Sequence, residues 1–163
     1  MKVPETMSKQ HSGSHDKSYR KLLLMAILSF ISMYILMYSM VDKLSNVVPN
    51  VNQFYMAGLM SSPMIIIELI LMRSMYMNKN LNTLIISISG VALVLFFVLI
   101  RQQAAVADKQ FLKSMIPHHA AAILMAKQAS ITDPEIKELC KTIITSQQAE
   151  INQMKAKLKE LNK

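Results

Sequence analysis

Polar and apolar positions along this chain alternate between long uncharged runs and short punctuating segments. Residues 1–20, MKVPETMSKQHSGSHDKSYR, mix Pro, Gly, Ser, His and Lys with no apolar period. Ordering them would cost entropy with little burial in return, which predicts a flexible polar tail. From Leu22 to Val41 there is no charge, and about twenty residues rising ~1.5 Å each match the ~30 Å hydrocarbon thickness of a bilayer. A cleaved leader would have a shorter apolar run and a small-residue cleavage site. VDKLSNVVPN follows instead, so residues 22–41 are expected to be an uncleaved first span. Asp42 to about Asn52, with Pro49 and several Asn, reads as a turn at the membrane surface.

A second span is predicted over about 54–76, holding Pro63 and Glu68. Both are tolerated in a membrane only where neighbouring helices or water satisfy the polar groups. After MNKNLN a third span covers 81–100 and ends at Arg101. Three spans put the two chain ends on opposite faces. From about Gln102 to Ser130 the pattern suits a helix, and ITDPE then breaks and restarts it. Thr132 or Asp133 can cap, Pro134 fits a first turn, and Glu135 completes a T-x-x-E box, so a second helix should run to about Leu161. No repeat of 20–50 residues is present. The expectation is an all-α protein in three parts: a tail over 1–20, a three-helix transmembrane region over 21–101, and an extramembrane helical hairpin over 102–163.

Composition sharpens this picture. Of 163 residues 52% are hydrophobic but only 6% aromatic, a bias that suits lipid. Fifteen methionines without any tryptophan are unusual, since Met is normally a sparse gap-filler. The formal charge of +8 flanks apolar runs and does not form a basic face interleaved with aromatics, so nucleic acid is not the expected partner. Cys140 is a lone cysteine and says nothing about redox compartment. Lys2, Lys9, Lys17, Arg20, Lys21, Arg73 and Lys79 share one predicted face, against Lys43, Arg101, Lys109 and Lys113 on the other. That asymmetry predicts a cytoplasmic N-terminus and an extracytoplasmic hairpin.

The candidate chemistry lies in the hairpin. On a helical wheel Asp108, Phe111, Met115, His118, His119, Ala122, Met125 and Ala126 fall within a little under half the circumference, and Pro117 should distort that turn. The second helix has a matching stripe of Ile136, Leu139, Cys140, Ile143, Gln147, Glu150, Ile151, Met154, Leu158 and Leu161. An ionised Glu150 on such a face needs a partner, a metal or water. If the helices fold together, Met115, His118 and His119 could approach Glu150 and Met154. Imidazole with thioether is what copper chemistry asks for, because thioether suits Cu(I) and imidazole also serves Cu(II) and zinc. The sequence has no H-E-x-x-H, no C-x-x-C, and no Glu-x-x-His in the hairpin, which removes support for metal-dependent hydrolysis and di-iron chemistry. The competing reading makes the histidines hydrogen-bonding groups at a kink and the methionines packing residues.

FLKSMIPHHAAAILMAKQASITDPEIKELCKTIITSQQAEINQMKAKL carries M-I-P-H-H from Met115 to His119, Leu124 to Ala126 downstream, and Q-Q-x-E-I-x-x-M from Gln147 to Met154. Over about residues 108–158 these strings resemble the bacterial family catalogued as domain of unknown function 305, and SFISMYILMY and QFYMAGLMSSPM look like its membrane-anchored branch. The resemblance implies a ferritin-like helical hairpin. Relatives are linked to copper binding outside the cytoplasm through Met and His side chains. Carried over, that implies ligands at Met115, His118, His119, Met125 and Met154, in a hairpin with fewer such residues than the richest relatives.

Secondary candidates remain. Met56, Met60, Met64, Glu68 and Met72 recur every four residues in the second span, either lining a path for Cu(I) with Glu68 as a proton or cation site, or packing at a helix interface. Met33, Met37 and Met40 form a weaker stripe best read as packing. Met7, His11 and His15 in the tail are opposed as a helical metal site by Gly13. Cys140 is either a small apolar residue or a ligand, and Asp108 either orients an imidazole or caps a helix start. No triad, phosphate loop or cofactor motif is present, so a non-catalytic protein is expected. The first hypothesis is a membrane-anchored copper-binding protein in homeostasis or resistance at a bacterial inner membrane, homo-oligomeric and served by a copper-handling partner. The alternatives are a metal-free assembly subunit and an intramembrane carrier built on Glu68, Met60 and Met64.

Overall fold

The computed structural model describes the backbone from Glu5 and side chains from Lys17 to Lys163. Residues 1–4 lie outside the described residues, as do the side chains of 5–16, among them Met7, His11 and His15. The regular elements are all helical: α1 (Glu5–Leu36), α2 (Val51–Leu71), α3 (Lys79–Arg101), α4 (Asp108–Gln128) and α5 (Pro134–Leu161), with short 3-10 turns at Met37–Met40 and Leu44–Asn46. Lys17–Met40, Val51–Leu71 and Lys79–Arg101 are long and apolar enough to cross a membrane. The segment expected as a separate tail is helical from Glu5 and continuous with the first span. Nucleation is the unfavourable step in helix formation, so polar residues that extend an existing helix face only the smaller cost of propagation.

One compact unit joins the chain up to Tyr34 with Tyr55–Gln102. Within it α2 is the most enclosed helix, 28% of its most apolar window being buried against 6% for the other two. The buried side of α2 is made of Tyr55, Ala57, Gly58, Ser61, Ser62 and Leu69, and the run from Ala57 to Ser62 supplies small residues of the kind that let helices approach closely without a hydrophobic driving force. The Phe96 ring lies over Gly58 so closely that a Cβ there would collide with it. Ser61 Oγ donates to the Ala57 carbonyl at 2.7 Å and Ser62 Oγ to that of Gly58 at 2.8 Å, so neither hydroxyl is left unsatisfied.

Helix α2 ends at Leu71 and not near residue 76 as expected. Arg73 is exposed, while Tyr76 folds back to 3% exposure against Leu22 and Leu69. A charge and a returning phenol compete with continuation of the helix. The turn is tied by Tyr19, which donates to Asn82 Oδ1 at 2.7 Å and packs its ring 5.3 Å from that of Tyr76. Asn82 Nδ2 donates to the Tyr76 carbonyl at 2.6 Å, and Asn78 caps α3 by accepting from Leu81 N at 3.0 Å.

The second unit contains Ile35–Phe54 and Gln103–Lys163. Here α4 and α5 form the expected hairpin, and Asp133 caps α5 by accepting from Glu135 N and Ile136 N at 2.9 and 3.0 Å, with Pro134 in the first turn. Its buried cluster is Ile116, Ala120, Ile123 and Ile151, flanked by Met154 and Leu158 and by Val41 and Val48 from the α1–α2 connection. Residues 35–54, expected in the three-helix region, are therefore a strap across the hairpin. The reason is visible in the contacts: Val41 and Val48 find apolar neighbours there, and Asn46, 2% exposed, accepts from Lys155 Nζ while donating to Asp42 Oδ1 at 2.6 Å. Ser114 and Gln110 of α4 hydrogen-bond to Asn50, Asn52 and Val51.

Lys155→Ala should unlatch this strap. The expected loss is about 1–3 kcal/mol, the range for a hydrogen bond involving a charged group, read as faster amide exchange at Asn46 and Val47. Unchanged exchange there would mean that the valines alone hold the strap.

Candidate functional site

Helix α4 buries Ile116, Pro117, His119, Ala120 and Ile123. This is not the stripe the wheel singled out. Asp108 and His118 are exposed, Phe111 is 52% and Met125 53% exposed, and Met115 is half-buried. Of that stripe only His119 is buried. Aliphatic residues Ile116 and Ile123 take the core because they meet Ile151 on one side and the strap on the other. Pro117 is accommodated inside an uninterrupted helix. On α5 the stripe is closer to expectation: Ile151 is buried, Cys140, Ile143, Gln147, Met154, Leu158 and Leu161 are half-buried, and Ile136, Leu139 and Glu150 are exposed.

The two histidines have separate environments although their ring centroids are only 6.1 Å apart, at 64°. His119 is 7% exposed. Its Nδ1 lies 2.9 Å from the Met115 carbonyl and its Nε2 2.6 Å from Glu150 Oε2. A carbonyl only accepts, so Nδ1 carries a proton and donates. Nε2 and the Glu150 carboxyl then share one further proton across a short, charge-assisted contact. This clamp answers the question posed by Glu150 on an apolar stripe: it is half exposed and bonded to an imidazole. It also withdraws both His119 nitrogens from metal coordination unless Glu150 is displaced. His118, by contrast, is exposed and makes no hydrogen bond to the described residues.

Among the described residues no three His, Cys, Asp or Glu side chains gather as a metal site. Nitrogen, oxygen and thiolate donors alone do not build a centre here, so thioether sulfur would be needed beside an imidazole. On the wheel Met115 lies one turn before His118 and Met125 two turns after it, on the same exposed side of α4. Met154 packs instead against the buried cluster. Cys140 is half-buried near the start of α5, beside Ala126, Lys127 and Ile144. Asp108 starts α4 and has no imidazole partner among the described residues.

Glu68 lies one turn before the end of α2 and accepts from Tyr76 Oη at 3.3 Å. Burial, together with the adjacent Glu68 charge, holds the Tyr76 phenol above its usual pKa and keeps it a donor. Met56, Met60 and Met72 are 37%, 42% and 40% exposed and Met64 is half-buried, so most of that stripe faces away from the other helices. Sequence reasoning missed the strap residues Asp42 and Asn46, whose i, i+4 spacing was the available signal.

Fold and site together define a helical-hairpin protein carried by three membrane-length helices. The family described as domain of unknown function (DUF305) matches residues 72–158, beginning in the turn after α2, and the chain belongs to that family. It is also 41% identical over 121 residues to "Uncharacterized protein L153" of Acanthamoeba polyphaga mimivirus, covering 73% of this chain and 78% of the relative. No solved structure matches.

Proposed function

We propose that this chain is a membrane-anchored copper-binding protein whose accessible nitrogen ligand is His118, with Met115 and Met125 as thioether partners. The observation that carries this reading is the division of labour in the M-I-P-H-H motif: His119 is committed to Glu150 and the backbone, while His118 is exposed on the side of α4 that by helical spacing also carries Met115 and Met125. Copper(I) accepts such low-coordinate, soft surroundings, which hard ions do not. Two or three ligands on one helix leave room for a donor from a delivering protein or from a second copy, consistent with buffering or transfer. The relative comes from a virus, so the proposal concerns the water-facing side of a membrane and not a bacterial inner membrane in particular.

The test is a Cu(I) titration of the full-length protein against a competing chelator. His118→Ala should weaken binding by more than about tenfold, or ~1.4 kcal/mol, and Met154→Leu should leave it unchanged. Equal affinity for wild type and His118→Ala would overturn the proposal.

A second reading, a metal-free assembly subunit or homo-oligomer, draws on the solvent-facing Phe111, Met125, Ile136 and Leu139. Large apolar side chains left on a water-facing unit can mark a docking surface when they are contiguous. Sedimentation of the metal-free protein in detergent separates it from the first reading, because association would then proceed without copper.

A further inference from the structure

In the three-helix unit a cavity of about 320 Å³ is lined by Ala26, Ile27, Phe30 and Ile31 of α1, Gly58, Ser61, Ser62 and Ile65 of α2, and Phe96 of α3. Its size falls in the range of small-molecule sites. The wall is apolar, and the two serines that interrupt it spend their hydroxyl protons on carbonyls of their own helix. No lining side chain is left to recognise a polar group, so the matching occupant is hydrocarbon.

The end of the unit beyond the cavity supplies the other half of a ligand. Tyr19 is bonded to Asn82 and stacked on Tyr76, which places α1 residue 19 at the level of the α2–α3 turn. Lys17, Arg20, Lys21, Arg73 and Lys79 are all exposed there, and no ion pair engages any of them among the described residues. Glu68 is the one acidic residue among the described residues of this unit and is taken by Tyr76. Arg20 shares a helical stripe with Ile27 and Ile31, seven and eleven residues on. Ala26 to Ile31 lie seven to twelve residues past Tyr19, or ~10–18 Å deeper at ~1.5 Å per residue, within reach of an acyl chain hung from a headgroup at the basic end.

We infer that this unit binds one anionic phospholipid, its phosphate held at Arg20 and Arg73 and one acyl chain laid into the Phe30–Gly58–Phe96 cavity. A helix from a second copy would be the competing occupant, but at this end it would add Lys17, Arg20 and Lys21 against Asp16, a net positive charge set against cations that are already there.

The test is native mass spectrometry of the full chain released from vesicles of equimolar phosphatidylglycerol and phosphatidylcholine. Wild type should retain one lipid, with a preference on the order of tenfold for the anionic one. Ala26→Phe should lose that lipid. Ala26→Leu, a smaller filling, should weaken retention and keeps the test decisive if the Phe variant does not fold. Val91→Phe, which adds bulk at a position 69% exposed, should behave as wild type. Arg20→Gln with Arg73→Gln should retain a lipid without headgroup preference. Retention unaffected by both Ala26 variants, equal retention of the two lipids by wild type, or a lipid-free two-chain species would each overturn the inference. Copper affinity should be the same in all these variants, so the outcome is independent of the metal proposal.

Discussion

Ile151→Ala should lower the stability of the hairpin unit by about 2–5 kcal/mol, the usual cost of truncating a fully buried branched side chain. Ile151 is 0% exposed and meets Ile116, Ala120 and Ile123, themselves at 0%. With so few fully enclosed side chains, each is a large fraction of what holds the unit together, and neighbouring segments cannot close the resulting void without moving the strap. The measurement is local opening free energy from amide exchange along α4 and α5 in the full chain. Protection that stays at the wild-type level would show that packing outside this cluster dominates.

The second large effect concerns the His119–Glu150 clamp. His119→Ala should cost about 1–3 kcal/mol through loss of two hydrogen bonds at a buried site, with a void added. Glu150→Gln should be nearly neutral, since the amide can donate N–H to a neutral Nε2 while Nδ1 still donates to Met115. Glu150→Ala should differ from both: it frees a His119 nitrogen, so copper affinity should rise even as the hairpin loosens. Chemical denaturation paired with Cu(I) titration reads the two quantities on the same samples. If Glu150→Ala weakens copper binding, Glu150 belongs to the metal site and the clamp has been misread.

Much of the architecture was legible in the order of residues because its causes are local. Apolar runs long enough for a bilayer located the three spans, and Asp133-Pro134 marked the start of α5. The premature end of α2 was not legible in full, because besides the Arg73 charge it depends on Tyr76 being recruited by Leu22, more than fifty residues away. The site was half legible. The motif drew attention to the turn of α4 that carries His118 and His119, and the wheel grouped Phe111, Met115 and Met125 with them without saying which of these side chains are enclosed. Their true environment depends on Val41 and Val48, and on an Asn46–Lys155 hydrogen bond spanning 109 positions, contacts that no periodicity within one helix can announce.

The strap also bears on modularity. Because the hairpin is roofed by the connection between the first two spans, its polypeptide is discontinuous, and the chain passes between the two units three times. A fragment cut at the last crossing would expose the Ile116 side of its interior and lose the partner of Lys155. Grafting residues 103–163 onto another protein should therefore transplant an unfinished fold, and duplication or fusion of this architecture would have to carry the anchors along with the tip.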